Sequence, residues 1–276
     1  MLRTKIRPVK KSTNRLFFVV ALAIFGAGCA PRSEVLYEQA LSEIQKGHFR
    51  IAVDLLERSA KVEKNDLNRN RYLSEAGRIV RFEIQDYERA IRIFRKIILD
   101  SDDEAQRLQS QEAVAEIYLE NLQDYQSALK ELQMLEPLLK DTKKKEKTKL
   151  RIAQTLYLTG NYQQALEEIE AAQKYFLVQE FNFSKLKGEI LTAQKKYKEA
   201  IANYDGLRQK YPEQFAKENL FIAASIVFEE NEQYSDALSY LKKYETQITD
   251  KVYFELRIKR LKERLDNKPL SRGPRK

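Results

Sequence analysis

An aromatic residue followed three places later by alanine recurs six times, as Phe49/Ala52, Tyr87/Ala90, Tyr125/Ala128, Tyr162/Ala165, Tyr197/Ala200 and Tyr234/Ala237. Successive alanines lie 38, 38, 37, 35 and 37 residues apart. A period of this length means stacked supersecondary units, because each unit can cover its apolar face only with a neighbour. Four residues past each alanine stands Leu56, Phe94, Leu132, Ile169, Tyr204 or Leu241, the next inward position on one helical face. The clearest copy, Gly160 to Ile169, reads as a hairpin of two helices. Gly160 ends one helix at positive φ, Tyr162 begins the next, and Ala165 is small enough for two helices to cross closely.

This pattern resembles the tetratricopeptide repeat (TPR), in which a small residue of the first helix is followed by Gly-x-Tyr, Ala, a large apolar residue and Pro. The fifth copy carries it most fully, with Gly188, Leu191, Tyr197, Ala200, Tyr204 and Pro212 at the matching offsets. Pro212 is expected to close its second helix, since the ring cannot continue the hydrogen-bond ladder. The resemblance covers residues 33–246 and implies an all-α, right-handed superhelical solenoid of six helix pairs. The pairs are expected at 33–62, 68–99, 103–138, 144–175, 179–210 and 213–246. Copies two and three have longer connections, with Gln85 and Gln123 where Gly47 and Gly160 stand, so lengthened helices are expected there. The six lysines between Lys140 and Lys149 read as a solvated connection.

A stack exposes its last apolar face unless something covers it. Phe254, Ile258, Leu261 and Leu265 recur at helical spacing behind Asp250, so residues 250–266 are expected to form a capping helix with Asp250 at its start. Residues 267–276, with two prolines and four basic residues, read as a disordered basic tail.

At the other end, six basic residues and no acidic one precede the apolar run Leu16 to Ala27, the layout of a signal peptide over residues 1–28. Twelve apolar residues rise about 18 Å as a helix, short of the roughly 30 Å hydrocarbon core, which disfavours a permanent span. Phe25-Gly26-Ala27-Gly28-Cys29 resembles a bacterial lipoprotein box, although Gly26 stands where leucine is usual. The resemblance implies a lipidated Cys29 carrying acyl chains such as palmitate, a short linker over 29–32, and a protein held to the envelope and facing the periplasm. Cys29 is the sole cysteine, so no internal disulfide competes for it. Ala30, rather than aspartate, follows it, which by the enterobacterial sorting habit points to the outer membrane.

The formal charge of +9 is concentrated at the two ends, and the body between them is close to neutral. With the tyrosines committed to repeat positions, nothing suggests a phosphate-tracking or base-stacking surface, so no nucleic acid is expected as a partner. Catalysis finds no footing: His48 is the sole histidine and sits in a turn, and glycine-rich phosphate loops are missing among 8 glycines. No catalytic residue, metal, cofactor or small-molecule substrate is expected.

In the family, the first helix of each pair lines a groove that holds an extended segment or helix of another protein. Carrying the groove offsets over places Tyr37, Leu41, Arg71, Arg78, Arg81, Glu112, Glu116, Gln154, Tyr157 and Lys185 there. A basic second repeat beside an acidic third would suit a partner carrying both signs, or the charges are an ordinary wet surface. The chain also resembles pilotin-type and barrel-assembly TPR lipoproteins, the latter through Leu36 to Leu56. That implies a non-catalytic scaffold that helps assemble or place a pilus/secretin or outer-membrane barrel complex. The alternatives are a cell-wall-associated regulator that recruits a peptidoglycan enzyme and an uncleaved inner-membrane tether.

Overall fold

The computed structural model describes residues 31–175 and 178–267. The segment read as a signal peptide, Cys29 and the tail from 268 onward lie outside the described residues. Fourteen α-helices and no strand occur among the described residues. They run as pairs: α1 (Arg32–Gln45) with α2 (Phe49–Val62), α3 (Asp66–Ile79) with α4 (Tyr87–Asp100), and α5 (Glu104–Glu116) with α6 (Tyr125–Leu135). Then come α7 (Thr142–Leu158) with α8 (Tyr162–Gln173), and α9 (Glu180–Ala193) with α10 (Tyr197–Lys210). In pair six the first helix is broken into α11 (Pro212–Lys217) and α12 (Leu220–Glu230), followed by α13 (Tyr234–Lys243) and then α14 (Lys251–Asp266).

The repeat register is visible in the core. All six pattern alanines have 0% exposure, and every residue four places beyond them is buried. The core itself forms two apolar clusters, one running from Ala40 to Ile117 and the other from Ala115 to Leu261. They adjoin at α5, where Val114 belongs to the first and Ala115 to the second.

The turns explain the uneven repeat length. In pairs one, four, five and six, the amides of His48, Asn161, Lys196 and Gln233 each donate to the carbonyl five residues back, at 2.9 Å. In pairs two and three, Asp86 N–H reaches the Val80 carbonyl (3.1 Å) and Asp124 N–H the Tyr118 carbonyl (2.9 Å), six residues back. The lengthening expected for these copies takes the form of a widened last turn, a π-helix at Val80–Ile84 and again at Ile117–Asn121. Left-handed Gln85 (φ 60°) and Gln123 (φ 52°) then close turns that elsewhere are closed by Gly47, Gly160, Lys195 or Glu232. Asp86 and Asp124 also cap α4 and α6, accepting from Arg89 and Ser127 N–H, which the residues at the same place in the other four pairs do not do.

Close helix crossing sets the small residue of each first helix. A Cβ on Gly188 would lie 2.7 Å from the Tyr204 ring, and one on Gly77 would lie 2.8 Å from the Phe94 ring. Where the facing residue is Leu56, Leu132, Ile169 or Leu241, the corresponding position holds Ala40, Ala115, Ala153 or Ser225. Glycine thus appears where the partner is a ring, keeping the combined volume nearly constant.

One local reading needs correction, and one gains a second role. The lysine-rich stretch is mostly helix: α7 begins at Thr142, capped by Asp141, so Lys143 to Lys149 form its first two turns. Its lysines find carboxylates on that helical frame, with Lys149 at 3.3 Å from Glu168 and Lys145 at 3.4 Å from Glu136. Pro212 follows the end of α10, and it also starts α11 at the first-turn position where a missing N–H costs nothing. Asn219 then adopts a left-handed conformation (φ 54°) and splits the first helix of pair six. Its Oδ1 accepts from Thr249 Oγ1 (2.8 Å) and Thr249 N–H (3.1 Å), just ahead of α14. Asp250 caps α14 by accepting from Tyr253 N–H at 2.9 Å.

Candidate functional site

The first helices of pairs two, three and four are joined by charge. Arg81, Glu116 and Arg151 stand 35 residues apart in sequence and make a continuous ion ladder. Arg81 is buried; its Nη1 lies 2.9 Å from Glu116 Oε2, its Nη2 2.9 Å from Glu120 Oε2, and its Nε donates to Asn121 Oδ1 at 2.9 Å. Arg151 Nη2 reaches the other oxygen of Glu116 at 2.9 Å, and its Nη1 lies 3.4 Å from Glu112 Oε1. Burial pushes the Glu116 carboxyl up, but hydrogen bonds from Arg81 and Arg151 outweigh it and hold the group below the ordinary carboxylate range. Arg81, Glu112 and Glu116, expected to face a partner, therefore spend their charges on one another and on Arg151.

At the N-terminal end, Tyr37 stacks on Tyr72 with centroids 4.7 Å apart, and the Arg71 guanidinium lies 5.1 Å and 5.3 Å from the two ring centres. Tyr37 donates to Glu75 Oε2 at 3.1 Å, and Leu41 is half-buried. Between α3 and α5 a cavity of about 290 Å³ touching Asn70, Ser74, Arg78 and Gln109 adjoins one of about 270 Å³ touching Arg78, Arg81, Glu112 and the Phe82 and Phe94 rings. Arg78 borders both, is exposed and makes no ion pair among the described residues.

The orientation of Asn70, 1% exposed, follows from its neighbours. Gln106 Nε2 donates to the Leu67 carbonyl (3.0 Å), which can only accept, so Gln106 Oε1 is the atom that faces Asn70. It takes a hydrogen bond from Asn70 Nδ2 at 3.1 Å, which leaves Asn70 Oδ1 as a buried acceptor with no donor among the described residues.

Farther along, Gln154 is exposed, and Lys185 pairs with Glu218 at 2.9 Å. Tyr157 packs against Tyr162 with centroids 5.8 Å apart and borders a cavity of about 380 Å³ shared by α7, α9, α10 and α12. Glu189 lines the same cavity, and burial raises its carboxyl above the usual range, with Lys185 only partly offsetting the effect. Among the described residues no cluster of His, Cys, Asp and Glu could hold a metal ion, and no helix is long and apolar enough to cross a membrane.

A family model described as a tetratricopeptide repeat-like domain matches residues 78–223, more than half of the chain. The chain belongs to the tetratricopeptide repeat-like family. A tetratricopeptide repeat protein from Parabacteroides merdae has a similar structure, with a TM-score of 0.57 at 15% identity, covering 87% of this chain and 94% of that one. YrrB, described as a TPR protein with an unusual peptide-binding site, gives a TM-score of 0.49 at 16% identity over 68% of this chain and 91% of its own. MamA from Desulfovibrio magneticus gives 0.48 at 15% identity over 65% and 95%. No curated protein matches the sequence.

TPR-like arrays are in general non-catalytic scaffolds for other proteins, and the residues expected to line a groove here belong to the first-helix face. Sequence offsets found the helices of that face but missed Arg151, Glu120, Asn121 and Asn70. The missed ladder had a visible signal, since its members are spaced by one repeat with alternating sign. For Asn70 there was none, because its importance depends on which way a neighbouring amide is turned.

Proposed function

We propose that the chain is a non-catalytic protein-binding scaffold, held to an envelope membrane by lipid on Cys29 and facing the periplasm, which assists the assembly or placement of an envelope complex. The observation that carries the binding role is the first-helix face, where Arg78, Gln154 and Tyr157 remain available while the charges between them are locked in the Arg81–Glu116–Arg151 ladder. A surface fixed before the partner arrives loses less entropy on binding. The anchor rests on Phe25 to Cys29 alone, and the choice of a pilus/secretin or barrel complex rests on resemblance.

In-cell crosslinking from photoreactive residues placed at Arg78 and Tyr157, followed by mass spectrometry, tests the binding role. Capture of a secretin or barrel-assembly subunit supports the reading. Capture of a peptidoglycan enzyme would move the protein to a cell-wall role, and soluble partners beside an uncleaved chain would make it an inner-membrane tether. The anchor is tested by Cys29→Ser, which should abolish acyl labelling; unchanged labelling and membrane sorting would overturn it.

A further inference from the structure

Most carboxylates on the first-helix face have an internal partner. Glu75 accepts from Tyr37, Glu112 and Glu116 are held by Arg151, and Arg81 adds a second contact to Glu116. Glu189 is the departure from this rule. It is half-buried on α9, accepts no hydrogen bond and joins no ion pair among the described residues. The cation it feels, Lys185, already has its ammonium 2.9 Å from Glu218. An unpaired, partly desolvated carboxylate is costly, and this one lines an open cavity rather than a filled core.

The walls of that cavity supply the rest of a cation site. Tyr157, Tyr197 and Tyr204 are among the residues that line it, Ile226 gives an apolar side, and Glu230 adds a second, exposed carboxylate. Aromatic faces carry the negative lobe of the ring quadrupole, so rings beside a carboxylate attract an alkylammonium or guanidinium more strongly than either alone. Lys195 stands at the rim, but it is exposed and its ammonium makes no contact with Glu189. Thr192 cannot offer its proton to a ligand without giving up its bond to the Gly188 carbonyl at 2.7 Å.

We propose that this pocket receives a basic side chain, lysine or arginine, of the protein partner, and that Glu189 is the residue that selects it. The proposal rests on the scaffold reading and adds the chemistry of one anchor point. An apolar residue would leave the carboxylate buried beside it without a counter-charge, and an acidic one would be repelled by both glutamates.

The test titrates the purified full chain with a short blocked peptide carrying one lysine, with its arginine counterpart, and with an isosteric norleucine peptide, followed by amide chemical shifts. The basic peptides should shift Glu189, Thr192 and Ile226, and norleucine should bind about tenfold more weakly or worse. Glu189→Gln should weaken the basic peptides by a similar factor while melting no lower than the parent, since it removes an unpaired buried charge. Equal binding of norleucine, undiminished binding to Glu189→Gln, or a lowered melting temperature in that variant would each overturn the proposal. If the peptides fail while crosslinks from Tyr157 still trap an envelope subunit, the amine site is wrong and the scaffold role stands. Failure of both would sink the two together.

Discussion

In pairs two and three each turn holds one residue more than in pairs four to six, and the contacts around it are ionic, whereas the later pairs are closed by shorter turns and held by rings. The early region contains the Arg81–Glu116–Arg151 ladder, a pairing of Arg95 and Gln111 with buried Glu131, and Arg89 with Glu57 at 3.1 Å. The later region carries an unbroken chain of five aromatic rings. Phe215 meets Phe221 edge-on at 4.8 Å, Phe221 stacks on Tyr244 at 4.8 Å, and Tyr240 links Tyr244 (5.0 Å) to Phe228 (5.5 Å). Ion pairs occur there too, at the surface as in Lys185 with Glu218 at 2.9 Å, and once in the interior at buried Glu229, on which Arg257, Arg260 and Arg264 of α14 converge. The same crossing geometry can thus be secured by two chemistries, and they differ in what disturbs them: salt and acid for one, loss of apolar volume for the other.

The largest effect should come from Phe221→Ala, which removes a ring with 0% exposure from the middle of that chain. A loss of about 3 to 5 kcal/mol is expected in urea unfolding, little altered by salt. Breaking the ladder with Arg81→Met should cost less, about 1 to 3 kcal/mol, because Glu116 keeps Arg151. Here pH separates the regions. The Glu116 carboxyl lies below its unfolded value, so its contribution is present above about pH 4.5 and disappears as pH falls through the folded pKa. Arg81→Met should therefore flatten part of the parent's acid loss, and an unchanged acid limb would show that the ladder is not its source. Glu189 has the opposite sign. Its raised carboxyl favours the fold below the ordinary pKa and loses that advantage as pH rises, so Glu189→Gln should gain stability at pH 7 rather than lose it.

Gly188→Ala should overpack the crossing beneath Tyr204 and cost about 1 to 3 kcal/mol. Adding Tyr204→Leu recreates the alanine-leucine pairing of the first and third copies and should recover much of the loss in a thermal melt. No recovery would mean that the glycine serves something other than ring volume. The smallest expected effect is Gln123→Gly, a gain of about 0.5 to 1 kcal/mol from relieving a left-handed non-glycine residue. A fall in melting temperature would show that the glutamine side chain helps to hold the widened turn.

The repeat register was readable because alanine at a close crossing and a large apolar residue one turn later are forced by sterics alone. Ala165 and Ile169, both with 0% exposure, illustrate it. The π-turns were not read, yet they had left a trace: Gly77 to Tyr87 and Ala115 to Tyr125 are ten residues apart, against nine from Ala153 to Tyr162. Side-chain partnerships were less legible. Whether Glu116 faces solvent or two guanidiniums depends on how neighbouring pairs are staggered, and local sequence does not encode that stagger. The break at Asn219 escaped because α12 is apolar nearly all round and gives no helical stripe to interrupt.

That break has a consequence for how the array comes apart. Quasi-one-dimensional stacks lose their ends first, one unit at a time. Asn219, by accepting from Thr249, closes a loop of thirty residues around pair six and fastens the start of α12 to the segment that launches α14. Fraying from the C-terminal side can unwind α14, but it must undo that clasp before it reaches α13. The amides of α12 and α13 should consequently exchange with solvent hydrogen as one cooperative block, slower than α14, and Asn219→Ala should split it, with α13 exchanging ahead of α12.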